Sequence, residues 1–178
     1  GVLAAMLERL GFAVQLCPLV DTEPVATASV DASPFEWVVF TSRAGVRHGL
    51  SRLTGSIKKL AAVGPGTAAA LEEGGLEVDL IPAVHSQRGL VEALGLVCGS
   101  VLFVGAEQAG CELVDRLGAR HVGVYRTVEL HPQQIPDADL AVLASASAAR
   151  ALARRRTDIP CVTIGPSTTA AATDGGLR

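Results

Sequence analysis

Short apolar runs separated by helical stretches predict an α/β fold whose sheets are parallel and covered on both faces. Strands buried on both sides lose the apolar–polar alternation of half-exposed ones. Two further observations agree with this. The helical stretches close on glycine, and blocks of strand, tight turn and helix recur later in the chain in the same order.

The elements follow in order. Residues 1–10 have the spacing of an amphipathic helix that ends at Gly11. Strands are expected at Ala13–Leu16, Val38–Phe40, Leu60–Val63, Val78–Ile81, Val101–Val104, Val122–Tyr125, Leu140–Leu143 and Cys161–Ile164. Helices are expected between them, at Arg43–Leu53, Thr67–Glu73, Gln87–Leu94, Glu107–Leu117, Ser147–Ala153 and Thr168–Thr173.

The second half of the chain repeats the first. Leu7–Gly11 returns as Val114–Gly118, and Val38-Val39-Phe40-Thr41-Ser42 as Ala141-Val142-Leu143-Ala144-Ser145. Ala62-Val63-Gly64-Pro65-Gly66-Thr67 returns as Thr163-Ile164-Gly165-Pro166-Ser167-Thr168. The offsets are 107, 103 and 101 residues, in the same order, which chance does not readily supply. Two similar α/β units are therefore expected. The second copy stops before its counterparts of Val78–Ile81, Gln87–Leu94 and Val101–Val104, and the first lacks a strand before its opening helix. The unit holding both termini is expected to be incomplete, with a strand before Gly1 and a strand–helix pair after Arg178 in a longer natural chain.

Composition narrows the function. The 178 residues carry 15 Lys+Arg against 18 Asp+Glu, a net charge of -3, and no basic run is longer than Arg154-Arg155-Arg156. That balance argues against a nucleic-acid binder held by phosphate contacts. Aromatics make up 3%, too few for base-stacking platforms, while 49% hydrophobic content excludes disorder. No apolar run is long enough for a membrane span. Cys17, Cys98, Cys111 and Cys161 lie far apart without a C-x-x-C pair, which predicts reduced thiols and a cytoplasmic location. The four histidines lack metal-ligand spacing, and no nucleotide or hydrolase motif is complete, so neither metal nor cofactor is expected.

The repeated turns carry the chemistry. Thr41-Ser42, Gly64-Pro65-Gly66-Thr67, Ser145-Ala146-Ser147 and Gly165-Pro166-Ser167-Thr168 each join a strand to a helix, pointing unpaired helix N–H groups out of the carboxyl edge of the sheet. One reading makes them plain N-caps. The other makes them donors in a cleft for a polyanionic ligand. Ser86 is expected to cap the helix after Pro82, with ligand donor as its alternative role. Tyr125, the only tyrosine, is either strand packing or a proton donor. The arginine triplet is either a solvated helix end or a polyanion contact.

Val-Val-Phe-Thr-Ser (38–42), Ala-Ala-Val-Gly-Pro-x-Thr-Ala (61–68), Val-Tyr-Arg-Thr (124–127) and Ile-Gly-Pro-x-Thr (164–168) together resemble the uroporphyrinogen-III synthase family, in that family's order over nearly the whole chain. The resemblance implies two flavodoxin- or Rossmann-like parallel-sheet domains joined by a two-stranded linker. One comprises residues 1–21 and 128–178, truncated at both ends; the other is the inserted segment 22–127. It implies cyclisation of hydroxymethylbilane to uroporphyrinogen III with inversion of ring D, as a cofactor-independent, monomeric lyase of heme biosynthesis. By motif it assigns substrate binding to Thr41, Ser42, Gly64, Thr67, Ser86, Gly105, Ser145, Gly165 and Thr168, and the acid role to Tyr125. Ala144 stands where the family more often has a hydroxyl residue. Two alternatives compete: a non-catalytic two-lobed domain for a small anionic ligand, as one part of a larger fusion protein, and a two-lobed binding protein for small sugars or phosphates.

Overall fold

The structure, a computed structural model, describes residues 2–95 and 99–178. Cys98 lies outside the described residues. The elements are α1 (Val2–Arg9), β1 (Val20–Pro24), β2 (Val30–Asp31), β3 (Trp37–Phe40), α2 (Arg43–Gly49), β4 (Leu53–Thr54), β5 (Leu60–Ala62), α3 (Pro65–Glu73), α4 (Gln87–Leu94), β6 (Val101–Ala106), α5 (Glu112–Leu117), β7 (Arg120–Glu129), β8 (Ala141–Leu143), α6 (Ala146–Ala153), β9 (Cys161–Thr163) and α7 (Pro166–Asp174). The fold is mixed α/β with a parallel-dominated sheet. The chain forms two compact units, Thr22–Arg126 and a discontinuous one of Gly1–Asp21 with Thr127–Arg178.

The larger sheet has the order β1-β7-β6-β3-β5, with β5, β3, β6 and β7 running parallel to one another. Side chains alternate across it as the strand period requires. Val38, Phe40, Leu102 and Val104 join one buried cluster with Leu71 and Val46, while Trp37, Val39, Val101 and Phe103 join another with Leu90 and Leu113. This double burial is why these strands read as continuous apolar runs. A short parallel pair, β2 with β4, accompanies the same unit.

In the discontinuous unit β8 and β9 pair in parallel, and Leu143, Leu152, Ala149 and Ala172 form its core with Leu19 and Leu177. The repeated blocks have the same local geometry. The N-cap residues Ser42 and Ser145 have φ/ψ of -162°/154° and -161°/154°, and Gly64 and Gly165 have -175°/175° and -179°/167°. The hydrogen bond from Val63 N to Phe40 O recurs from Ile164 N to Leu143 O.

Several elements differ from expectation. Ala13–Leu16 is not a strand; Phe12 and Leu16 stay exposed, and the edge strand β1 forms further on, ending at Pro24, which cannot donate to a ladder. Val78–Ile81 reduces to one parallel bridge, Ala61 with Leu80, because the Asp79 carboxylate itself accepts from Leu60 N at 2.7 Å. The helix expected from Glu107 starts at Glu112, where Cys111 caps it without a side-chain hydrogen bond. The expected Arg43–Leu53 helix ends at Gly49, tightens to a 3₁₀ turn over Leu50–Arg52 and passes into β4.

The arginine triplet stands at the C-terminal end of α6, with Arg154 and Arg155 exposed and all three side chains engaged. Arg154 pairs with Glu129, Arg155 donates to Pro132 O at 2.6 Å, and Arg156 pairs with Asp137 at 2.9 Å and Asp158 at 2.8 Å. Together they fasten the end of β7 and the stretch after it to the end of α6. Cys17 and Cys161 are half-buried and Cys111 is exposed, all as free thiols.

Candidate active site

The carboxyl edge of the larger sheet gathers most of the sequence-predicted residues. Ser42 follows β3 and caps α2, its Oγ accepting from Gly45 N at 2.9 Å. The first turn of α2 lies close on β6: a Cβ at Gly45 would sit 3.2 Å from both Ser42 Oγ and Val104 O. Gly105 continues that contact, since a Cβ there would meet the Phe103 ring at 2.8 Å and Thr41 Oγ1 at 3.6 Å. Thr41, Ser42 and Gly105 thus form one patch.

Tyr125 reaches this patch through an irregularity in β7. Gly105 pairs with Gly123, but Ala106 pairs with Tyr125, so β7 carries one extra residue at that step. A bulge of this kind re-aims the following side chain. Val122, Val124 and Tyr125 consequently all join the cluster on the α2 side of the sheet, and Tyr125 is 8% exposed. Its hydroxyl lies 3.0 Å from Ser42 Oγ. Glu107 N donates to Tyr125 O at 2.7 Å and secures the bulge from the β6 side.

Sequence reasoning missed three linked residues, of which His48 borders the phenol. The His48 ring stands 5.8 Å from the Tyr125 ring, tilted by 30°. His48 Nε2 lies 3.1 Å from Thr22 Oγ1, and the Arg47 guanidinium donates both to Thr22 Oγ1, at 2.5 Å, and to His48 Nε2. The available signal was helical spacing: His48 falls three residues beyond Gly45 on α2, the spacing that puts two helix positions side by side.

The other predicted residues of this unit occupy two further helix starts. Gly64 caps α3 with Pro65 in its first turn, and Thr67 is 5% exposed, its N–H bonded to Gly64 O. Gly64 has no need of a special backbone angle; it leaves room for His85, whose side chain would lie 3.3 Å from a Cβ there. Ser86 caps α4 by accepting from Gly89 N at 3.0 Å. Both helices present their N-termini at the ends of parallel strands or of the Leu80 bridge, where anions are favoured.

In the discontinuous unit Ser145 caps α6, accepting from Ala148 N at 3.1 Å and contacting Ser147 Oγ at 3.1 Å. Gly165 caps α7, and an open depression of about 740 Å³ is lined by Gly165, Pro166, Thr163 and Thr169. Thr168 is 3% exposed and does not line it. Among the described residues no cluster of three His, Cys, Asp or Glu side chains is arranged to hold a metal ion, and no helix is long and apolar enough to cross a membrane.

The sequence profile of one family, described as "Uroporphyrinogen-III synthase HemD", matches residues 1–178. Among curated proteins none matches. Among solved structures, the uroporphyrinogen-III synthetase of Helicobacter pylori superposes with a TM-score of 0.66 at 19% identity, covering 90% of this chain and 82% of that one. A mutant uroporphyrinogen III synthase from the extremely thermophilic bacterium Thermus thermophilus gives 0.62 at 17% identity, covering 99% and 85%. The wild-type Thermus enzyme gives 0.54 at 19%, covering 98% and 84%. At these identities the structural likeness speaks for the fold.

Proposed function

The chain belongs to the uroporphyrinogen-III synthase family, and from that premise we propose that it closes hydroxymethylbilane to uroporphyrinogen III with ring D inverted. The match of the family profile across residues 1–178 is the observation that carries this reading.

The reaction begins with loss of the terminal hydroxyl as water, leaving an azafulvene. Ring D is attacked at its substituted carbon, and the spirocyclic intermediate rearranges to the inverted macrocycle. The protein's tasks are to fold a flexible substrate and hold its ends together, a gain in effective concentration rather than in covalent chemistry. Tyr125 is the acid that assists the leaving hydroxyl, a contribution of about 10²–10⁴ in rate for a placed proton donor. Its position on Ser42, at the carboxyl edge of the sheet, supports that role.

The substrate's many carboxylates are met by local donors. Helix starts at Ser42, Gly64, Ser86, Ser145 and Gly165 offer backbone N–H groups, with Thr41, Thr67 and Thr168 adding hydroxyls and Gly105 allowing close approach. A chain of net charge -3 binds a polyanion this way without a basic surface. The same reading treats residues 1–21 with 128–178 and 22–127 as two related domains joined by a two-stranded linker, and the protein as a cytoplasmic monomer.

Incubating the chain with hydroxymethylbilane and separating the products by isomer tests the proposal. The inverted isomer III is expected in excess over an enzyme-free control. Isomer I alone refutes the enzyme reading, and product binding without turnover would return the non-catalytic anion-binding alternative.

A further inference from the structure

The hydroxyl of Ser42 is engaged on two sides. It accepts from Gly45 N at 2.9 Å, and it lies 3.0 Å from the phenolic oxygen of Tyr125. The first contact is an ordinary helix cap. The second joins that cap to the proton donor named above, and either oxygen can be its donor.

We propose that Ser42 is the positioning residue of Tyr125: its Oγ–H donates to the phenolic oxygen, which turns the phenol proton toward the substrate and stabilises the phenolate left behind. The inference rests on the reading of Tyr125 as the acid. Gly45 N–H already occupies a lone pair of Ser42 Oγ, and accepting a hydrogen bond strengthens a hydroxyl as a donor. The assembly is held tightly. A Cβ at position 45 would crowd Ser42 Oγ and Val104 O at 3.2 Å, so glycine is what lets α2 press its cap against the sheet. The His48 ring borders the phenol, and the β7 bulge brings Tyr125 to this side of the sheet.

The step balances. The Tyr125 proton passes to the leaving hydroxyl, the C–O bond breaks and water departs. The pyrrole nitrogen's electron pair fills the new exocyclic double bond, and the proton then lost from that nitrogen restores the phenol. Ser42 neither gains nor loses a proton. It stabilises the phenolate more than the phenol, which is the condition for accelerating the chemical step.

Tyr125 is the only tyrosine of the 178 residues, so the tyrosinate absorbance near 295 nm reads this one group. In Ser42→Ala its titration midpoint is expected to rise by about one pH unit, with turnover reduced about ten- to hundredfold, the range for a lost hydrogen bond to a charged group. Two variants separate donation from capping. Ser42→Thr keeps both cap and donor and restores midpoint and turnover. Ser42→Asp keeps the cap but has no proton to donate at neutral pH, so melting temperature recovers while the midpoint stays high and turnover low. An unmoved midpoint in Ser42→Ala, or an aspartate variant as active as the threonine one, overturns the proposal and leaves Ser42 as a cap. Failure of the family reading appears elsewhere, as isomer I from the unmodified chain, and leaves the titration readable.

Discussion

Ser42 Oγ and Tyr125 Oη meet at 3.0 Å across 83 residues of sequence. The contact joins the first turn of α2 to an irregular step in β7, so the candidate acid is held by two secondary elements rather than by a loop.

Tyr125→Phe keeps the buried ring and removes the hydroxyl. Turnover of hydroxymethylbilane to isomer III is expected to fall by about 10²–10⁴, while thermal unfolding changes little because Ser42 remains bonded to Gly45 N. Unchanged turnover would make Tyr125 a packing residue.

Gly49→Ala tests how closely α2 lies on the sheet. The added Cβ would stand 2.5 Å from Val104 Cγ1 and 3.1 Å from Val124 Cγ2, neither of which has room in a core this dense. Overpacking is expected to outweigh the helix preference of alanine and cost about 2 kcal/mol. The melting temperature should fall by about 6 °C. An unchanged or higher melting temperature would mean the helix lies further from β6 than described.

Thr67→Val and Thr168→Val remove hydroxyls at the two Gly-Pro turns without changing volume. Both residues are buried, at 5% and 3% exposure, so the fold should persist. Affinity for uroporphyrinogen III is expected to drop about tenfold per site, the effect of one hydrogen bond to a carboxylate. Calorimetric titration of the product measures it, and unaltered affinity counts against these threonines as ligands.

Glu129 and Asp158 set an acid limb in stability. A hydrogen bond from Arg154 holds the Glu129 carboxyl below its ordinary 4.5, and one from Arg156 holds Asp158 below 3.8. A carboxyl that is more acidic when folded stabilises the protein above its unfolded value and loses that contribution as pH falls through the folded one. Glu129→Gln should therefore flatten the decline in melting temperature below about pH 4.5 and leave higher-pH stability nearer the variant's own plateau. Because the pair is exposed, the difference should shrink in high salt. An acid limb identical in both proteins would show the pair to be energetically silent.

The capped turns were legible in the sequence because their signals are local. A serine, or Gly-Pro, directly after an apolar run marks a helix start whatever lies around it, and Ser42, Ser86 and Ser145 all cap their helices. The central strands were legible because burial on both faces leaves an unbroken apolar run. What stayed hidden depends on pairing. Ala13–Leu16 has the apolar content of a strand but forms no ladder, whereas Val20–Pro24, with two acidic residues and a proline, is a strand because β7 pairs with it. Helical spacing alone hints at His48 on the helix that Ser42 caps, whereas its approach to Tyr125 and its contact with Thr22 join elements distant in sequence.

The extra residue in β7 gives this last arrangement a numerical character. Along a strand, odd and even positions face opposite ways, and Tyr125 joins the same cluster as Val122 and Val124 only because the count is broken once between Gly123 and Tyr125. What places the phenol is thus the parity of a chain segment as much as the identity of any side chain. Substitutions can alter the chemistry of β7 by degrees; regular pairing through this step, with Val124 opposite Ala106, would instead turn the hydroxyl to the side of Phe103, away from Ser42.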